Sequence, residues 1–313
     1  MSKMRAVFMG EHQLRAGWRL IIFLAFVLPL GYGAGKIVDS LNAKLHAATG
    51  TPWDIGMVMG IFACAIFAAT GIMAKIEGRS FADYGLPWRR AFCRQFWQGA
   101  AISFASLSIL LLVIHLAGGF SFDALGLHGA EILKFGILWA FAGFVGALLE
   151  DFTYRGYLLF TLTTGLGFWP AAILTSLLMG GMHYLNPGGH GLGPVAAFLY
   201  CMATCVVIRR TGDLWMALGI HSAWNWGEIF FYGIPDSGFP SQGHLLVTRL
   251  HGPTWLTGGP FGAEAGWPSI ALLIIWIIFF SLWLRGVRYP NQAALEKRSP
   301  MWTAGFKLGR SDI

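Results

Sequence analysis

Charge is what this chain has least of. Lys, Arg, Asp and Glu make up 12% of its 313 residues, about half the share in an average soluble domain. Hydrophobic residues reach 56%, and the mean hydropathy is +0.59. That balance excludes a soluble enzyme and makes a membrane the solvent. Cysteine is scarce too: of the four, Cys64, Cys201 and Cys205 fall in apolar runs and Cys93 in a polar loop, so no disulfide framework is expected. Cys201 and Cys205 lie one helical turn apart, a spacing open to metal ligation, but small residues at helix contacts are the commoner explanation. Internal repeats and low-complexity tracts are absent. No small-x-small cleavage site is clear after the basic N-terminus, so the first apolar run reads as an anchor that stays.

Long apolar runs are what is there. Eight can be drawn: Trp18–Val38, Ile55–Ala74, Phe96–Leu116, one from Ile132 through Glu150, Pro170–Met182, Pro194–Ile208, Leu214–Phe231 and Pro268–Leu284. A span needs about 20 apolar residues. The expected fold is therefore all-α, a polytopic transmembrane helix bundle of about eight spans, forming a single integral membrane domain over residues 1–313. The one long connection, 233–267, is rich in Gly and Pro and is expected to be a lid or an extracytoplasmic loop.

Seventeen of the 22 Lys and Arg residues cluster at one set of span ends: four at the N-terminus, five in 75–94, two at Arg209 and Arg210, and six after Leu284. Cytoplasmic loops carry such an excess, which places both termini in the cytoplasm. The net charge of +7 is spread over these loops, so anionic lipid headgroups are the expected partner and nucleic acid is not.

Against this apolar background a few polar residues stand out. Glu150, Asp151 and Arg155 sit inside the fourth run, His183 closes the fifth, and His221 and Asn225 lie within the seventh. A charge at mid-membrane costs about 2.5–3.5 kcal/mol, so such residues default to a functional site. Asp151 and Arg155 are four apart and can pair on one helix face, leaving Glu150 as the free carboxylate. His221 and Asn225 share a face by the same spacing. At 1.5 Å per residue, His183 lies about 20 Å from Pro170, His221 about 12 Å from Asp213 and Glu150 about 21 Å from Thr164. Three helices can thus aim Glu150, His183, His221 and Asn225 into one polar cavity, expected near the cytoplasmic side.

A carboxylate and two imidazoles suit a catalytic zinc with an open position, held by Glu150, His183 and His221. They equally suit metal-free hydrolysis, with Glu150 taking a proton from water that His183 orients, and His221 with Asn225 donating to the oxyanion. A lone buried histidine or asparagine can also merely join two helices. His12, His46, His115, His128, His190, His244 and His251 read as end and loop residues without a role.

These residues, in this order, resemble the CPBP intramembrane proteases, which include the CAAX prenyl endopeptidases and bacterial relatives tied to bacteriocin self-protection. The family pattern is Glu-Glu-x-x-x-Arg, Phe-x-x-x-His and His-x-x-x-Asn/Asp on successive helices. Here Glu150-Asp151-x-x-x-Arg155 departs by one methylene, Met179-x-x-x-His183 keeps the histidine alone, and His221-Ser-Ala-Trp-Asn225 matches throughout. The likeness covers a core over about 132–231, with an echo at 258–266. It implies a multi-pass protein of the bacterial plasma membrane that cleaves a peptide or a membrane-associated protein near the cytoplasmic leaflet. Glu150 is implied as water activator, His183 and His221 as ligands or proton handlers, and Asn225 as oxyanion donor. The alternative is a non-hydrolytic scaffold, an immunity protein, or a carrier gated by Glu150 and Arg155.

Overall fold

The computed structural model describes residue 8 and residues 14–45, 49–291 and 295–296. All eight apolar runs are helical: α1 (Ala16–Leu45), α2 (Pro52–Glu77), α3 (Arg94–Leu116), α4 (Ala130–Phe152), α6 (Phe168–His183), α7 (Gly193–Thr211), α8 (Trp215–Trp226) and α10 (Trp267–Trp283). Helix α4 runs on through a π-helical stretch, Thr153–Leu158, into α5 (Leu159–Leu166), and α8 continues as a π-helical segment, Gly227–Tyr232. Among the described residues, five helices are long and apolar enough to cross a membrane: Ala16–Lys44, Pro52–Glu77, Arg94–Leu116, Ala130–Leu166 and Gly193–Thr211. The chain is a multi-pass integral membrane protein.

Local sequence explains the helix ends. Thr51 caps α2 by accepting the Asp54 N–H at 3.2 Å, Asp54 accepts the Gly50 N–H at 3.0 Å, and Pro52 occupies the first turn, where its missing N–H costs nothing. Gly78 ends the helix at φ 67° and returns its N–H to Ala74 and Lys75. Helices α3 and α8 meet backbone to backbone, because a Cβ on Gly219 would collide with the Phe96 carbonyl and one on Gly99 with that of Met216.

The contacts sort the connections onto two ends of the bundle. At one end Glu77 accepts from Arg19 (2.6 and 2.9 Å), Tyr157 (2.7 Å) and Tyr84 (3.2 Å), and Arg90 pairs with Asp213 at 3.0 Å. The Gly85 carbonyl accepts from Leu214, and Arg209 receives the N–H groups of Arg288 and Tyr289. This is the end where the basic loops gather. At the opposite end lie Gly50, the 184–192 connection and the 233–266 segment, tied together by Gln242 N–H to the Gly50 carbonyl and by Asn186 to the Ser237 carbonyl at 3.1 Å.

Two features add to the all-α bundle expected from sequence. The fold is not purely helical: β1 (Phe120–Leu125) pairs antiparallel with β2 (Leu246–Leu250), Phe120 opposite Leu250 and Leu125 opposite Leu246, with a bulge between Phe122 and Ala124. The long connection is not structureless either, for it holds β2, a turn of helix α9 (Thr254–Thr257) and 3₁₀ turns at Gly259–Phe261 and Ala263–Ala265. Of the histidines set aside, His12 and His46 lie outside the described residues.

Candidate active site

Asp151 and Glu150 are neighbours in α4 with opposite surroundings. Asp151 is completely buried, and its Oδ1 accepts from both Arg155 and His221 Nδ1, the latter at 2.8 Å. Glu150 keeps 31% of its side chain exposed, and its Oε2 lies 3.9 Å from His221 Nε2. Successive helical positions differ by about 100°, so one carboxylate turns into the protein while the other faces a cavity. The expected Asp151–Arg155 pair is present, and Asp151 does a second job that the i,i+4 spacing could not reveal. Arg155 does not gate with Glu150: it is fully buried, donates to the Met179 sulfur at 3.5 Å, and sits 5.5 Å from the Tyr200 ring centre.

Both candidate imidazoles are oriented through Nδ1. His183 is the last residue of α6, and its Nδ1 lies 2.9 Å from the Met179 carbonyl. A carbonyl only accepts, so Nδ1 carries the hydrogen and Nε2 keeps its lone pair. The carboxylate of Asp151 imposes the same tautomer on neutral His221. Met179 therefore serves the site twice, by its backbone oxygen to His183 and its sulfur to Arg155.

A cavity of about 280 Å³ joins these groups, lined by Glu150, His183, His221 and Asn225 together. Asn225 stands over Gly143 and Gly146 of α4, where an added Cβ would come within 3.5 Å of the Asn225 Cβ and 4.0 Å of its Nδ2. The glycines let α8 lie close enough for the amide to reach the cavity.

The far wall was not foreseen. Asn186, Asp236, Ser237, Phe239 and Glu264 also line the cavity, all from the end opposite the basic loops. Residues 236–239 form a tight turn in which Asp236 and Phe239 exchange backbone hydrogen bonds of 3.2 and 2.8 Å, with Ser237 at φ 48° and Gly238 at φ 91°. The only hint in sequence was the glycine-dense stretch around Glu264, too long-range in its contacts to be placed.

The donor atoms of Glu150, His183 and His221 are not gathered for one ion. Among the described residues the trio whose carboxylate or ring atoms come within 4.8 Å of one another is Glu228, Asp236 and Glu264. A tetrahedral zinc, with bonds of about 2.0–2.2 Å to N and O, does not fit the three as arranged.

Residues 132–227 match the family model described as type II CAAX prenyl endopeptidase Rce1-like. Over these residues the chain is similar to the type II CAAX prenyl endopeptidases. The match contains the four candidate residues Glu150, His183, His221 and Asn225 and none of the 233–267 wall. No curated protein matches the chain.

Proposed function

We propose that the chain is an intramembrane endopeptidase in which Glu150 activates water without a metal. The observation that carries this reading is the division of labour between adjacent carboxylates: Asp151 buried and doubly bonded, Glu150 beside His221 and open to the cavity. Glu150 takes a proton from water as the water oxygen bonds to the scissile carbonyl carbon. His183 Nε2 accepts the other O–H and orients the attack. The oxyanion that forms is met by the Asn225 amide N–H. Glu150 then returns the proton to the leaving nitrogen as the C–N bond breaks, with His221 Nε2 close enough to share that proton on the way. Cells carrying the wild-type chain should show new peptide termini in their membrane fraction, read by mass spectrometry, that vanish with the Glu150→Gln variant. Identical termini in both would remove the protease reading.

Asn225→Ala is expected to lower kcat by about 10²–10³-fold with KM little changed, as for loss of one oxyanion donor. A parallel loss of binding would reassign Asn225 to substrate positioning.

We place the cavity on the other side of the membrane from the expectation, because its wall comes from the end away from the basic loops. The charge excess is the better guide to orientation, so we propose that the cavity opens away from the cytoplasm. The substrate is then a membrane-anchored or exported segment reached from that side, and a cytosolic prenylated C-terminus is out of reach. In a chain with Cys64 replaced by serine, a membrane-impermeant maleimide on intact cells should label Ser241→Cys, at the cavity wall, and spare exposed Cys93 of the basic loop. Labelling of Cys93 alone would reverse the assignment.

A further inference from the structure

Beside the proposed catalytic groups, the cavity wall holds two acids that the hydrolysis does not use, Asp236 and Glu264, with a third, Glu228, close to both. Glu228, in the π-helical extension of α8, is completely buried, and neither of its carboxylate oxygens accepts a hydrogen bond. Its ligand atoms and those of Asp236 and Glu264 lie within 4.8 Å of one another. The charged groups acting on Glu228 are Glu264 and Asp236, and neither a Lys nor an Arg is among them. Three carboxylates so placed repel strongly, and a buried carboxylate without a partner costs several kcal/mol. Something positive must enter, either protons or a cation.

The surroundings favour a cation. Glu264 accepts from the Trp224 indole N–H at 2.9 Å, from the Ser237 N–H at 3.0 Å and from the Ser237 hydroxyl at 2.7 Å. Three donors fix its direction, as outer partners do for ligating carboxylates. Each carboxylate oxygen has two lone pairs, so those bonds leave Glu264 able to ligate. Asp236 and Glu264 face the cavity, which offers a wet route inward.

We propose that Glu228, Asp236 and Glu264 bind a hard divalent cation of the calcium class, which pins the 233–267 segment over the cavity. The donors are all oxygen, the choice of calcium, magnesium or manganese rather than of zinc or copper. Three carboxylates supply up to six oxygens, and water from the cavity can complete the shell. One ion would join three elements: the extension of α8 through Glu228, the 236–239 turn through Asp236, and the 3₁₀ turn at Ala263–Ala265 through Glu264. Through Trp224, which bonds Glu264 and adjoins Asn225, occupancy would also steady the reacting end of α8. The site does not depend on the protease reading, and its test does not require cleavage.

The full chain, solubilised in detergent and stripped with EDTA, is titrated with calcium chloride while thermal unfolding is followed. At a hundredfold excess over Kd the wild-type Tm should rise by on the order of 5 °C. Terbium, a calcium surrogate, should show tryptophan-sensitised luminescence because Trp224 adjoins the site, and calcium should quench it by displacement. Glu228→Gln should abolish both responses while raising the cation-free Tm, since it removes a buried repulsive charge; Asp236→Asn serves as a second variant with the same expected losses. A wild-type chain whose Tm ignores calcium, magnesium and manganese but climbs as pH falls would mean that the acids share protons, and would overturn the proposal. Equal calcium responses in wild type and both variants would overturn it too.

Discussion

Glu150→Gln is expected to lower the turnover of any cleaved peptide by about 10²–10⁴-fold, the usual contribution of a placed general base. The fold should be untouched. Glutamine has the same shape, and Glu150, at 31% exposure, is the one acid of the motif that neither Arg155 nor a histidine Nδ1 holds. Its amide cannot take a proton from water, so kcat should fall while KM and Tm stay near wild type. Glu150→Asp should recover part of the rate, because it keeps the base and withdraws it by one methylene. Activity within tenfold of wild type in Glu150→Gln would transfer the base to another group, and His221 Nε2, 3.9 Å away, would be next in line.

Run length and composition carried the membrane bundle a long way. Each of the eight apolar runs is a helix, and His183, His221, Asn225 and Glu150 do reach one cavity from three helices. Those features follow from periods of one turn and from rise per residue, which are local. What sequence did not show depends on contacts between distant residues. The His221–Asp151 bond crosses 70 positions, and nothing in an i,i+4 pattern distinguishes an aspartate with one partner from one with two. The 233–267 segment offered glycines and two scattered acids, Asp236 and Glu264, yet it supplies much of the cavity wall and pairs its β2 with β1 more than a hundred residues earlier. Its place at the end away from the basic loops was hidden for the same reason: helix depth alone cannot say which end of a cavity is walled by which loop. The buried Arg19–Glu77 pair was likewise unreadable, since each residue alone looks like an ordinary juxtamembrane charge.

Asp151→Asn is expected to reduce both stability and turnover, and the two losses can be separated. Removing one partner of a buried ion pair leaves the other charge uncompensated, at about 3–5 kcal/mol. Arg155 is that charge, with its side chain wholly buried. The same substitution also takes away the carboxylate that holds His221 by Nδ1 and presents Nε2 to the cavity. Adding Arg155→Met removes the stranded cation and should restore most of the stability, measured by thermal or denaturant unfolding in detergent. Turnover should stay low in the double variant, because His221 still lacks its orienting partner. If the double variant regains activity along with stability, Asp151 is a counter-ion for Arg155 and no more. If instead Asp151→Asn alone unfolds within about 1 kcal/mol of wild type, the uncompensated-charge argument fails, and the one-methylene departure from the family pattern has another cause.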